Sequence, residues 1–267
     1  MYELVSTVKR DYIVDLARQD KRTDARVLDQ YREVSVEIGL IENAQGSALV
    51  KIGNTQVLVG IKMDIGEPFS DSPNMGVLST AAELVPLASP DFESGPPRED
   101  AIELARVVDR GVRESKVVDI EKLVVTPGEK VWLVFIDIHI LDYDGNLFDA
   151  ASLGALAALS TTVVPAKRFE AQLPEGYPKE DFPLPMSEPP ISCTVVKIKD
   201  FVLFDPCFDE EIIADVRLTV ATDHQGDIRA MQKGLSGGFS KEEIQKVIKG
   251  ALDNGKEIRN KLKAVIS

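Results

Sequence analysis

Between Pro165 and Pro190 the chain carries Pro174, Pro178, Pro183, Pro185 and Pro189, a density that neither a helix interior nor a central strand tolerates. The chain must cross this stretch as a linker or an extended segment. Strands leading into a helix occur on both sides of it, so the pattern predicts a duplicated α+β architecture. The expected divisions are a helical extension over 1–30, a first half over 31–168, a Pro-rich linker over 169–190 and a second half over 191–267.

Within the first half, VSVEIGL, SALVKIG and TQVLVGIKM alternate as short strands, and Gly53-Asn54 between the last two signals a hairpin. The opening helix, roughly Leu4 to Gln19, reads as polar and mostly solvated. Loops are expected from Gly66 to Gly76 and from Ser89 to Pro97. A helix from about Arg98 to Lys116 would place Ile102, Ala105, Val108 and Val112 on an apolar stripe. On the same helix Arg106, Arg110 and Arg113 fall at i, i+4 and i+7, so their guanidinium groups project from a common face. After KLVVTPG, the run VWLVFIDIHIL puts Trp132, Val134, Ile136, Ile138 and Ile140 on one face of a strand. The following DAASLGALAALSTTVV is small and apolar all round, which predicts a buried helix with Asp149 placed to cap it. The second half reads as ISCTVVKIK, FVLFD, IIADVRLTVAT and IRAMQKG strands, with a tight turn at 223–227. Its last helix opens with the capping box Ser240-x-x-Glu243.

Composition closes off several classes of function. The net charge of −13 argues against a broad nucleic-acid-coating surface, because phosphate binding is driven by Lys and Arg displacing counterions. A local basic channel remains allowed. Two cysteines, in no Cys-x-x-Cys pair, argue against disulfides or a thiolate zinc centre, and two histidines exclude a site built on several imidazoles. No apolar run approaches a membrane span, and MYELVSTVKRDYIV lacks a signal-peptide core, so a cytoplasmic protein without membrane contact is expected.

Five strings then carry a specific resemblance. KRTDARVLDQYR at 21–32, AQGSALVKIGNTQVLVG at 44–60, ELARVVDRGVR at 103–113, IDIHILDYDGNLFDAASLGALAAL at 136–159 and LFDPCFDEEIIADVRLTVA at 203–221 occur in that order. Together they resemble the RNase PH family of phosphorolytic ribonucleases, most specifically its archaeal exosome branch. The resemblance implies an RNase PH-like fold of two related halves, each a mixed sheet packed on helices. It also implies a six-membered ring around a central channel, in which a catalytic subunit alternates with a non-catalytic homologue. Further implied partners are single-stranded RNA and RNA-binding cap proteins; neither a cofactor nor a metal is implied.

The site chemistry decides which subunit this chain should be. Phosphorolysis needs a pocket that holds inorganic phosphate against the terminal RNA linkage. Active family members place a hydroxyl and an arginine after the Asp-Gly turn, at a helix N-terminus suited to an oxyanion. Here Leu147 and Phe148 stand in those positions, and Asp149 adds a negative charge. A carboxylate ~4–5 Å from phosphate opposes it by on the order of several kcal/mol at the effective dielectric of a partly buried site. Active relatives also carry a general-acid aspartate six residues beyond an acidic run, and counting six from Glu211 reaches Arg217, which cannot release a proton near neutral pH. The acidic cluster Asp205, Asp209, Glu210, Glu211 and Asp215 reads mainly as structural, with Asp215 and Arg217 paired along one strand face. Metal coordination or catalysis by the cluster are the lesser alternatives.

Arg106, Arg110 and Arg113 match the family string that borders the RNA channel in relatives; the plainer reading pairs them with Glu99, Glu103, Asp109 and Glu114 on a solvated face. His139 beside Asp137 reads as a satisfied core or interface histidine. Lys21, Arg22 and Arg26 read mostly as a solvated run, with RNA or a neighbouring subunit as the alternative. The expectation is a non-catalytic exosome subunit, with no catalytic residue of its own, that structures a homologous neighbour's active site and holds RNA through the three arginines. Its rivals are a phosphorolytic subunit working through Asp209, Glu211 and Asp215, and a purely structural ring component.

Overall fold

Alternating apolar residues build the first of two sheets in the computed structural model, which describes residues 2–266. The chain opens with helix α1 (Tyr2–Ala17), then lays down strands β1 (Val34–Ile38), β2 (Gly46–Ile52), β3 (Thr55–Gly66) and β4 (Val77–Leu84). Helix α2 (Glu99–Glu114) leads to β5 (Val124–Thr126) and β6 (Lys130–Asp142). The sheet order is β1-β2-β3-β6-β4, with β5 also on β6; β4 runs parallel to β6 and every other pair is antiparallel. As the alternation predicts, Trp132, Val134, Ile136, Ile138 and Ile140 are buried while Leu133, Phe135, Asp137 and His139 lie on the half-exposed face.

Helix α3 (Leu147–Ser160) is buried from Phe148 to Leu159, because it lies against β2 and β3 on one side and the second sheet on the other. Gly154 permits this approach, since a Cβ there would come within 2.8 Å of the Val59 side chain. A short pair, β7 (Val163–Val164) with β8 (Phe182–Pro183), then precedes β9 (Ile191–Ile198), β10 (Phe201–Phe204), helix α4 (Phe208–Ile212), β11 (Val216–Thr222) and β12 (Ile228–Gly234). The second sheet, ordered β10-β9-β11-β12, is antiparallel throughout, whereas a mixed sheet was expected in each half. Helix α5 (Lys241–Ile266) buries Val247, Ala251, Ile258 and Leu262 against β9, β11 and β1. Its capping box forms: Ser240 N donates to Glu243 Oε2 at 2.6 Å and Glu243 N donates to Ser240 Oγ at 3.2 Å. The core therefore sits where α3 and α5 fill the space between two sheets.

Several local expectations need correction. The opening helix, solvated over most of its described face, also has a buried stripe that was not expected: Ile13, Val14 and Ala17 are buried, and the first two pack with Val196, Ile198, Leu203 and Ile213 of the second half. The buried stripe of α2 is Ala101, Leu104, Val108 and Val112, leaving Ile102 49% exposed. Strand β4 was not anticipated, because VLSTAAEL is built of small residues whose alternation is faint; parallel pairing with β6 recruits it. The proline-rich segment is more ordered than a linker, with a 3-10 turn over Ala166–Gln172, the β7–β8 pair and a bridge from Val118 to Met186.

Candidate functional site

At the start of α3, where the resemblance implies an anion site, the chain supplies its own carboxylate. Asn146 caps the helix in the left-handed conformation, φ 58°, after Gly145 at φ 85°. Only glycine fits at 145, since a Cβ would meet the Pro206 carbonyl oxygen at 2.5 Å. Glu211 reaches this helix end from α4, accepting a hydrogen bond from Asn146 N at 2.9 Å and another from the Tyr143 hydroxyl at 2.7 Å. Burial, opposed by those two donors, raises the Glu211 carboxyl above its ordinary range.

Asp149 is not the N-cap. It lies within the first turn, 2% exposed, and accepts from Tyr31 Oη (2.7 Å), Asn146 Nδ2 (2.9 Å), Thr194 N (2.9 Å) and Thr194 Oγ1 (2.7 Å). Burial pushes its carboxyl up to about 6 despite those donors. Asp149 thereby ties α3 to β9 and to the segment preceding β1.

Phe148 and Arg217, the two positions at which the sequence departs from the catalytic pattern the resemblance implies, touch each other. The Arg217 guanidinium lies 3.9 Å above the Phe148 ring centroid and donates to Glu103 Oε1 at 2.5 Å. Tyr143, Phe148, Phe208, Glu103, Glu211 and Arg217 border a cavity of about 270 Å³. A phosphate entering it would face the carboxylates of Asp91, Asp100, Glu103 and Glu211 and a guanidinium already paired with Glu103. The expected Asp215–Arg217 pair is absent, because Asp215 instead accepts two hydrogen bonds from Arg10 at 2.7 and 2.8 Å.

Each remaining member of the acidic cluster also has its own cation. Asp209 pairs with Lys9 at 2.7 Å, and Glu210 with Arg22, both of whose side chains are fully buried. Asp205 accepts from Arg26 Nη1 at 2.9 Å, Arg32 Nη2 at 2.8 Å and Asn146 Nδ2 at 2.7 Å. Although burial works against ionisation, the Arg32 hydrogen bonds and charge hold Asp205 below the usual carboxylate range. Arg22 and Arg26 are thus not a solvated run, at 3% and 8% exposed; only Lys21 stays on the surface. Among the described residues no group of three His, Cys, Asp or Glu side chains could hold a metal ion. His139 is not a core residue either: its side chain is 41% exposed, with Nδ1 3.4 Å from Glu83 Oε2.

The arginines of α2 remain on the surface, and their surroundings differ. Arg113 donates to both Asp109 oxygens at 2.9 Å and to the Leu78 carbonyl at 3.1 Å. Arg110 donates from Nη1 to Gln232 Oε1, on β12, at 2.7 Å. Arg106 has no hydrogen-bond or ion-pair partner among the described residues. Glu99, Ile102, Glu103, Arg106, Arg110 and Gln232 border a groove of about 380 Å³ between α2 and β12. Sequence reasoning found the arginines but missed Gln232, 122 residues distant from Arg110, and nothing in its local sequence marks it.

Two sheets enclosing a shared buried helix, with a charged junction at that helix's N-terminus, define a two-domain α+β scaffold. The chain belongs to the RNase PH family: residues 30–165 match domain 1 of the 3′ exoribonuclease family and residues 188–254 match its domain 2. It is 51% identical over 263 residues to the exosome complex component Rrp42 of Methanocella arvoryzae, spanning 98% of each chain. Against the Pyrococcus furiosus protein of the same name identity is 52% over 258 residues, covering 96% of this chain and 93% of that one. A chain of the Archaeoglobus fulgidus exosome with RNA bound to the active site superposes with a TM-score of 0.90 at 46% identity, over 97% of this chain and 99% of that chain. A chain of an archaeal exosome core gives 0.87 at 43%, over 98% and 100%.

Proposed function

We propose that this chain is the non-catalytic subunit of an archaeal exosome. It pairs with a homologous catalytic subunit in a six-membered ring, structures that neighbour's active site, and presents Arg106, Arg110 and Arg113 to the backbone of single-stranded RNA during 3′-to-5′ phosphorolysis. The observation that carries the reading is the Glu211 carboxylate on the amide of Asn146. A helix N-terminus attracts one anion well, and an internal carboxylate there excludes a phosphate. Phe148 and Arg217 remove the expected phosphate anchor and general acid as well. Relatives named as exosome components, and a superposable chain from an RNA-bound exosome, support the assembly and the ligand.

The test compares this chain alone with the complex reconstituted from both homologues, using poly(A) with and without phosphate. The isolated chain should release no ADP, and the complex should do so only with phosphate. Sustained phosphate-dependent ADP release by the purified chain alone would overturn the assignment in favour of a catalytic subunit.

A further inference from the structure

The three arginines of α2 are unequal, and we infer that Gln232 is a positioning residue that holds Arg110 ready for an RNA phosphate. This deepens the proposed RNA reading and rests on it. The arginines differ in the kind of acceptor each guanidinium has found. Arg113 is met by the Asp109 carboxylate, and Arg217 by the Glu103 carboxylate, so both charges are largely compensated within the chain. Arg110 is met by a carboxamide oxygen at 2.7 Å. A neutral acceptor fixes the guanidinium direction while leaving its full charge for a ligand, and four of the five guanidinium N–H donors have no other partner among the described residues.

The setting fits a backbone phosphate. Arg106 stands one turn before Arg110 on the same groove wall, and the Glu103 carboxylate, spaced to pair with Arg106, is drawn away by Arg217. Glu99 is the remaining carboxylate on the groove lining. Gln232 comes from β12, so the groove's positioning group belongs to the second half and its charges to the first. Orienting a long side chain before binding removes part of the rotamer entropy that a loose arginine loses on contact.

The experiment measures single-stranded RNA affinity of the complex, reconstituted with the catalytic homologue, as a function of salt. Variants are Gln232→Ala, Arg110→Ala, Arg106→Ala and the two doubles with Gln232→Ala. Arg110→Ala should shrink the log-affinity against log-salt slope by about 0.7. Gln232→Ala should weaken binding roughly two- to fivefold, the size of a lost orienting hydrogen bond. That loss should vanish in the Arg110→Ala background and persist in the Arg106→Ala background. Gln232→Glu keeps the acceptor but compensates the charge, so it should lower the slope about as far as Arg110→Ala, a change that a purely structural contact would not produce. If Arg110→Ala alters neither affinity nor slope in an intact complex, the RNA reading of this face fails. If Arg110→Ala has its effect but Gln232→Ala is silent, or costs the same in both backgrounds, the positioning role is overturned while the RNA reading stands.

Discussion

Arg22, Arg26 and Arg32 belong to the same residue type as Arg106 and Arg110, yet the two sets do opposite work. The first set is buried around Asp205 and Glu210, and its donors also reach the Phe204, Asp205 and Asp144 carbonyls. The second stands on an open groove, with Arg106 unpartnered among the described residues and Arg110 held by an uncharged amide. A guanidinium taken out of water must find carboxylates and carbonyls inside the chain, and it then has nothing left for a ligand. One left half-satisfied at the surface keeps its charge available. The same contrast separates the α3 terminus, where Glu211 occupies the anion position, from the α2 groove, where no internal anion takes Arg106.

The largest effect should come from breaking the buried set. Arg22→Ala leaves Glu210 buried and uncompensated, so stability should fall by about 3–5 kcal/mol or the chain should fail to fold. Urea denaturation followed by circular dichroism reads this directly; a loss below about 1 kcal/mol would place the pair with ordinary surface bridges and erase the contrast.

Next in size is the pH response of Asp149. Its carboxyl is raised to about 6 from an ordinary 3.8, so the native state binds the proton more tightly than the unfolded chain. The stabilisation is complete below the ordinary value and is lost as pH rises through about 6, a swing on the order of 2–3 kcal/mol. Subtracting the stability profile of Asp149→Asn should isolate this decline, because carboxylates shifted the other way, such as Asp205 and Asp215, are common to both proteins. A difference profile flat from pH 4 to pH 7 would show that Asp149 does not titrate in this range.

Smaller effects are expected on the open face. Arg106→Ala should leave the melting temperature unchanged and shrink the RNA salt slope of the complex by about 0.7, alike for different RNA sequences. Arg113→Ala should change the slope least, since Asp109 already compensates that charge. Equal slopes for all three alanine variants would mean that internal pairing does not grade the arginines. No change for any of them would favour a purely structural ring component.

Much of this contrast was hidden at the level of sequence, for a definite reason. Patterns of period 2 and 3.6 act locally, so strand β6, the all-apolar α3 and the Ser240 capping box were legible from neighbouring residues alone. The departures at Leu147, Phe148 and Arg217 were legible because the family resemblance supplied an expected residue at each place. Long-range partners were not. Arg10 finds Asp215 across 205 residues, Arg22 finds Glu210 across 188 and Arg110 finds Gln232 across 122. In the sequence Arg22 and Arg26 look like part of a hydrophilic surface run, and only the fold reveals that they, with Arg32, line a charged interior.

Helix α1 carries a consequence for how the chain is made. Its apolar residues Ile13 and Val14 pack on Val196, Ile198, Leu203 and Ile213, and Lys9 pairs with Asp209, 200 residues later. During synthesis at about 5–20 residues per second, roughly 10–40 s separate the emergence of this helix from that of its docking surface. Throughout that interval its apolar stripe, and Arg22 and Arg26 behind it, lack their second-half partners, although the first sheet can already form from contiguous sequence. Helix α1 is therefore made well before the surface it docks on, and its closure against the second half is a late step governed by sequence separation rather than by local propensity.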